Sequence, residues 1–400
     1  MNSLAMDEPR GAPLTLRIVR VVCFNFLTYL VIGLQMAVLP AFVHDGLHYG
    51  PVLAGLAIST QYVATLFSRG LAGRMSDVEG PKRAVLVGLT ATGASALLLF
   101  LAAWLRAWPA ASLATVLLGR LVLGVGESCV GTGCIIWGIG QVGALNTAKV
   151  ISWSGVATYS ALAIGAPLGV LLAGRLGFAA IGGAGVLLML GALALAWRRA
   201  DVKVEVGERL PMRHVFGRVT PQGLGLALGG IGFGVIATFI TLYYASVGWS
   251  HAAFALSVFG LCFVGMRLLF AGAIGRYGGY RVALASLLIE SGGLVLLASA
   301  RGLGIATLGA AMTGLGFSLI FPALGVEAVN RVSVSNRGAA LAAYSVFIDV
   351  ALAAIGPLGG WIAGGGRYAS LFGVAAGLAL LAALLTVALY ARQGRAAVAA

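Results

Sequence analysis

The sequence predicts an all-α membrane protein with twelve transmembrane helices in two pseudo-symmetric six-helix bundles. Three observations carry that expectation. The 400-residue chain is 60% hydrophobic, with a mean hydropathy of +1.01. Its apolar runs repeatedly approach the roughly 20 residues a helix needs to cross a bilayer about 30 Å thick. The runs are continuously apolar and do not alternate at every second residue, so they read as helices and not as barrel strands.

Charged or Pro- and Gly-rich breaks delimit the elements in order. Polar Met1 to Pro13 precedes span 1 at 20–42, which is long enough to remain in the membrane, and no cleavable leader pattern is evident. Span 2 (51–69) opens at a proline and stops at Arg69. Span 3 (83–105) follows Pro81-Lys82-Arg83, and span 4 (111–135) follows Arg106 and Pro109. Spans 5 (150–173) and 6 (178–198) run from Lys149 to the Arg198-Arg199 pair. The longest hydrophilic break, Arg198 to Gln222, separates them from spans 7 to 12 at 222–245, 251–271, 281–300, 303–327, 338–363 and 368–391. This gives an N-terminal bundle (1–198), a linker loop (199–221) and a C-terminal bundle (222–400).

The net charge of +14 follows topology. Most Lys and Arg residues fall on the side of the two termini. Arg106, Arg175, Arg301 and Arg367 lie on the other side, and Arg120 lies inside a span. The positive-inside rule then makes both termini cytoplasmic in a multi-pass protein of the cell inner membrane. Nucleic-acid binding is the wrong reading of such a charge. Cys23, Cys129, Cys134 and Cys262 fall in apolar spans without CxxC spacing, so they read as packing residues, and no metal site or cofactor is expected.

The halves repeat weakly but in order. One register places Arg69, Gly80 and Arg83 on Arg267, Gly278 and Arg281. A second places Gly124, Gly126, Pro167 and Gly169 on Gly314, Gly316, Pro357 and Gly359. Two such repeats around a central cavity are a known plan for secondary transporters.

The segment "GRMSDVEGPKR" resembles motif A of the major facilitator superfamily: Gly73, Asp77, Gly80, Lys82 and Arg83 stand in the pattern G-x-x-x-D-x-x-G-x-[KR]-R. Physically, Gly73 would permit close helix approach, Asp77 would pair with cations or a helix N-terminus across the half interface, and Gly80 would make the tight turn. The second copy has Gly275 where Asp77 would be. Arg120, Gly124 and Gly126 in "GRLVLGVGES" look like motif B. "YSALAIGAPLGV" is similar to motif C of proton-coupled exporters, with Ala166 in place of the usual Gly before Pro167. The wording resembles a bacterial inner-membrane branch of that superfamily described as sugar or drug efflux proteins. The resemblance implies a twelve-helix transporter that rocks its halves about a mid-membrane site, with Gly165, Pro167 and Gly169 and their counterparts Gly356, Pro357 and Gly359 as hinges.

Charges inside the spans are the main site candidates, because each costs at least about 2.5–3.5 kcal/mol on insertion scales. Arg120 and Glu127 lie about two turns apart on one face of span 4 and, at roughly 10 Å, are too far apart for a direct pair. The resemblance makes Arg120 an anion contact and modulator of proton affinity, with Glu127 as proton carrier or cation ligand. Asp349, a lone carboxylate near the middle of span 11, falls on Tyr159 in the repeat and is expected to carry, or help to carry, the coupled proton, with the assignment passing to Glu127 if it does not. Glu327 reads either as a gate pair with a loop cation or as a snorkelling end residue. Glu290 in span 9 reads as a structural hydrogen-bond partner of the adjacent Ser291-Gly292-Gly293. Asn25, Tyr29 and Gln35, with Gln61, Tyr62, Tyr159, Tyr243, Tyr244, Phe317 and Phe321, complete the candidate cavity, Asn25 and Tyr29 sharing a face at i and i+4. The four histidines fall in loops or at span ends and read as solvated.

The expected function is therefore proton-coupled export of a small organic solute by a monomer in the lipid bilayer, driven by the proton gradient because no phosphate-binding loop is present. Proton-coupled import by symport is the alternative, since Ala166 weakens the exporter signal. An intramembrane enzyme lacks any nucleophile or metal constellation, and a receptor would leave no signature.

Overall fold

The computed structural model describes residues 13–143, 146–202, 212–270, 272–332 and 337–399. Twelve helices in it are long and apolar enough to cross a membrane. In chain order they are α1 (Leu14–Met36), α2 (Pro51–Val78), α3 (Pro81–Trp104), α4 (Pro109–Val142), α5 (Thr147–Leu176) and α6 (Ala179–Trp197). The second set is α7 (Met212–Ser246), α8 (Ala252–Leu269), α9 (Gly279–Ala298), α10 (Leu303–Val329), α11 (Arg337–Ile362) and α12 (Tyr368–Ala399).

Local chemistry explains the ends. Prolines at the first turn start α2, α3 and α4, where the missing N–H costs nothing. Gly143 and Gly177, at φ 86° and 82°, terminate α4 and α5. Several boundaries differ from the sequence reading: α1 begins at Leu14, and α4 and α12 run on to Val142 and Ala399. α2 continues past Arg69 to Val78, because the polar face of its last turns stays helical. α7 begins at Met212 within the expected linker and carries Pro221 inside it.

The packing obeys the expected pseudo-twofold. In the first half α1 packs on α5, α2 on α4, and α3 on both α4 and α6. In the second half α7 packs on α11, α8 on α10, and α9 on both α10 and α12. The halves meet where α2 packs on α11 and α5 on α8. Near the end of the bundle away from the termini the first contact is backbone on backbone: a Cβ at either Gly55 or Gly356 would strike the other residue's carbonyl, and one at Gly360 would lie 2.6 Å from Val52 Cα. Only the lack of side chains allows that approach.

Candidate functional site

Glu127 sits in the middle of α4, 7% exposed, and α1 and α2 supply its partners. Tyr29 Oη donates to Glu127 Oε1 at 2.6 Å, Thr65 Oγ1 donates to Oε2 at 3.2 Å, and Gln61 Nε2 also donates to Oε2. The spacing of Gln61, Thr65 and Arg69 places all three on one face of α2. The other amide atom of Gln61, its Oε1, is buried without a partner. Rotating that amide would turn Gln61 from a donor into an acceptor, so one side chain can serve Glu127 as a carboxylate or as a carboxylic acid.

One turn beyond Thr65, Arg69 reaches across the half interface to Asp349 on α11. Nη2 donates to Oδ1 at 2.8 Å, and Nε donates to Oδ2. Asp349 is therefore not the lone carboxylate expected from the sequence. Arg69 was missed as a site residue because span 2 was read as ending there. The signal that could have found it is its repeat partner Arg267, which also lies within an apolar helix.

Opposite the polar cluster stand aromatic rings of the second half, joined by Tyr159 of the first. Phe233 (α7) stacks on Phe317 (α10) with centroids 5.4 Å apart, Phe259 (α8) lies 5.7 Å from Phe233, and Tyr159 (α5) stacks on Phe263 (α8) at 3.6 Å. The repeat registers make this a replacement in place. Phe317 stands where the first half has Glu127, and Phe259 and Phe263 stand where it has Gln61 and Thr65. Tyr159 and Phe317 are thus brought together, with ring centroids 6.0 Å apart. Phe233, Phe259 and Phe263 were not foreseen.

The other candidates are placed elsewhere. Asn25 and Tyr29 diverge: Asn25 Nδ2 donates to Thr158 Oγ1 at 2.9 Å and ties α1 to α5. Arg120, 2% exposed, donates to Gln35 Oε1 at 3.0 Å and as expected makes no direct bond to Glu127. Tyr243 donates to the Leu297 carbonyl at 3.1 Å and packs with Tyr244 and Trp249. Glu327 Oε1 accepts the Gly279 N–H at 3.1 Å and so serves one of the free donors of the first turn of α9. Glu290 departs from expectation too. It is fully buried, both oxygens lack partners, and Ser291 donates instead to the Ala376 carbonyl. His44 pairs with Asp45 at 2.7 Å at the surface, so it is not simply solvated.

In the motif segment, Gly80 has φ 98° and starts α3, as a tight turn requires. Lys82 Nζ donates to the Trp197 carbonyl at 2.9 Å, Arg83 pairs with Glu79 at 2.8 Å, and Asp77 is engaged. Gly73 differs from expectation, since a Cβ there would meet open space. Around Pro167 and Pro357 the helices run unbroken. Gly165 and Gly169 pack against α1 and Gly359 against Phe239, which makes them sites of close approach.

A pseudo-twofold bundle of twelve apolar helices, with buried charge and aromatic rings at its interface, defines a multi-pass membrane protein of the transporter class. Residues 21–271 match the sequence profile of the Major Facilitator Superfamily, and the chain belongs to that family. It is 56% identical to an uncharacterized MFS-type transporter of Pseudomonas aeruginosa over 98% of this chain and 97% of the relative. It is 53% identical to one of Burkholderia mallei, over 98% and 96%. Among solved structures, the fold is similar to a D-xylose-proton symporter (TM-score 0.76, 14% identity, 92% of this chain and 97% of that one). It is also similar to the human organic anion transporter MFSD10 (TM-score 0.73, 16% identity, 94% and 100%). At those identities the likeness concerns the fold alone.

Proposed function

We propose that this transporter exports a small organic solute in exchange for protons, by alternating access between its two halves. Glu127 is the proton carrier, and the Arg69–Asp349 pair is the contact that breaks and reforms as the halves rock. The observation that carries the reading is the Glu127 carboxyl held in mid-helix by Tyr29, Gln61 and Thr65, with an amide that can serve both protonation states. Export is favoured over import by the exporter-like segments around Pro167 and Pro357. The Lys and Arg distribution supports an inner-membrane location with cytoplasmic termini. The protein works as a monomer.

The test has two stages. Growth of a deletion strain and an overexpressor is compared across toxic metabolites to find a solute, and that solute is then added to proteoliposomes loaded with a pH-sensitive dye. Solute-dependent proton movement is the expected result. Solute flux with no proton movement would overturn the coupling.

A further inference from the structure

The two repeat-related arginines of the interface differ in one respect. Arg69 is neutralised by Asp349. Arg267, 8% exposed on α8, makes no ion pair among the described residues. Its Nη2 donates to the Ser318 carbonyl at 2.8 Å, and its Cζ lies 5.2 Å from the centre of the Phe263 ring. The register that places Pro167 on Pro357 places Tyr159 on Asp349, so the position that supplies a carboxylate to Arg69 supplies only a phenol beside Arg267. Gly155 on α5 leaves the guanidinium its room, because a Cβ there would strike Nη1. Glu290, the remaining buried acid of this half, has both oxygens unpartnered and so gives Arg267 no counter-charge.

A buried guanidinium without a counter-ion is costly and awaits one. We infer that Arg267 is the anion subsite of the transport site and that the cargo is a small organic carboxylate with an apolar body. The cargo carboxylate supplies to Arg267 the counter-charge that Asp349 supplies to Arg69 and that the Tyr159 phenol does not, in the two-point geometry a guanidinium favours. The apolar body lies against Tyr159 and Phe263, which stack on each other, and against Phe317, whose ring is tilted to that of Phe263 with centroids 5.8 Å apart. Glu127 is not the cargo contact, since three donors already satisfy it. A cargo anion moving out and a proton moving in both run with an inside-negative potential. The inference rests on the transport reading above, and its test separates the two.

Binding is measured first, without any gradient, as the thermal shift of the purified protein with acetate, benzoate, indole-3-acetate and succinate, and with benzamide and benzyltrimethylammonium as neutral and cationic controls. At least one aromatic carboxylate should stabilise the wild type, and the controls should not. Arg267→Gln should lose the shift at least tenfold in apparent affinity, and Arg267→Lys should keep part of it. If Arg267→Gln does not fold, Tyr159→Asp replaces it: a fixed carboxylate beside Arg267 should abolish the ligand shift while leaving the protein monodisperse, and Tyr159→Asn, which removes the same ring without adding a charge, should keep part of the shift. A shift with the cation only, no shift with any carboxylate, or a carboxylate shift unchanged in Tyr159→Asp would overturn the subsite. Proton movement is then read separately in proteoliposomes. Carboxylate binding with no proton movement would sink the coupling but leave the subsite standing.

Discussion

Arg69 and Asp349, 280 residues apart in sequence, form a two-point ion pair that joins α2 to α11 across the two halves. The Asp349 side chain is 4% exposed and that of Arg69 30%. Removing one partner of a buried pair typically costs 3–5 kcal/mol, because the other charge is left unpaired. With Arg69 part exposed, Asp349→Asn or Arg69→Gln should cost about 3 kcal/mol, at the low end of that range. The double variant should recover most of the stability but not the transport. Thermal unfolding of the three variants in detergent checks this, and simple additivity of the two losses would show that the pair does not couple.

Gly55 and Gly356 should tolerate no side chain. Gly356→Ala places a methyl group against the Gly55 carbonyl and Ser59 Oγ, so the halves cannot meet at that end. Insertion and expression should stay near normal while transport falls at least about tenfold, a barrier change of about 1.4 kcal/mol. Water accessibility of single cysteines introduced near Val52 should rise, and unchanged labelling would show that the contact is incidental.

Much of the fold was legible because hydropathy alone dictates membrane helices, and because the glycines of α4 and α10 mark the repeat. The site was legible where charge lies in hydrocarbon, as with Glu127 and Asp349. Arg69 was not, because the polar last turns of α2 imitate a loop. The ring cluster of Phe233, Phe259 and Phe263 was not either, since apolar residues carry no local mark of which neighbour they face. Glu290 shows the opposite limit: its place inside a span is plain from the sequence, but its missing partners depend on how α7, α9 and α10 pack.

Glu290→Leu should stabilise the protein. Two buried acceptor oxygens without partners cost roughly 1–3 kcal/mol, and a leucine of similar volume removes them. A raised melting temperature with retained transport is expected. A large loss of either would show that Glu290 has a role in another conformation.

Gly80→Ala should destabilise the start of α3. A Cβ there would lie 2.8 Å from Asp201 Oδ2, and φ 98° adds roughly 1–2 kcal/mol of backbone strain. Gly80→Ala with Asp201→Ala should recover only the steric part, as read by melting temperature.

Proton coupling through Glu127 is tested most directly by solute-driven proton movement in proteoliposomes, comparing the wild type with Glu127→Gln. The glutamine keeps an acceptor for Tyr29, and Gln61 can rotate to present Oε1 to the new amide, so fold and solute exchange should survive. The wild type should move protons when solute is added. Glu127→Gln should move none while still exchanging solute across the membrane. Proton movement by Glu127→Gln at the wild-type rate would contradict the account.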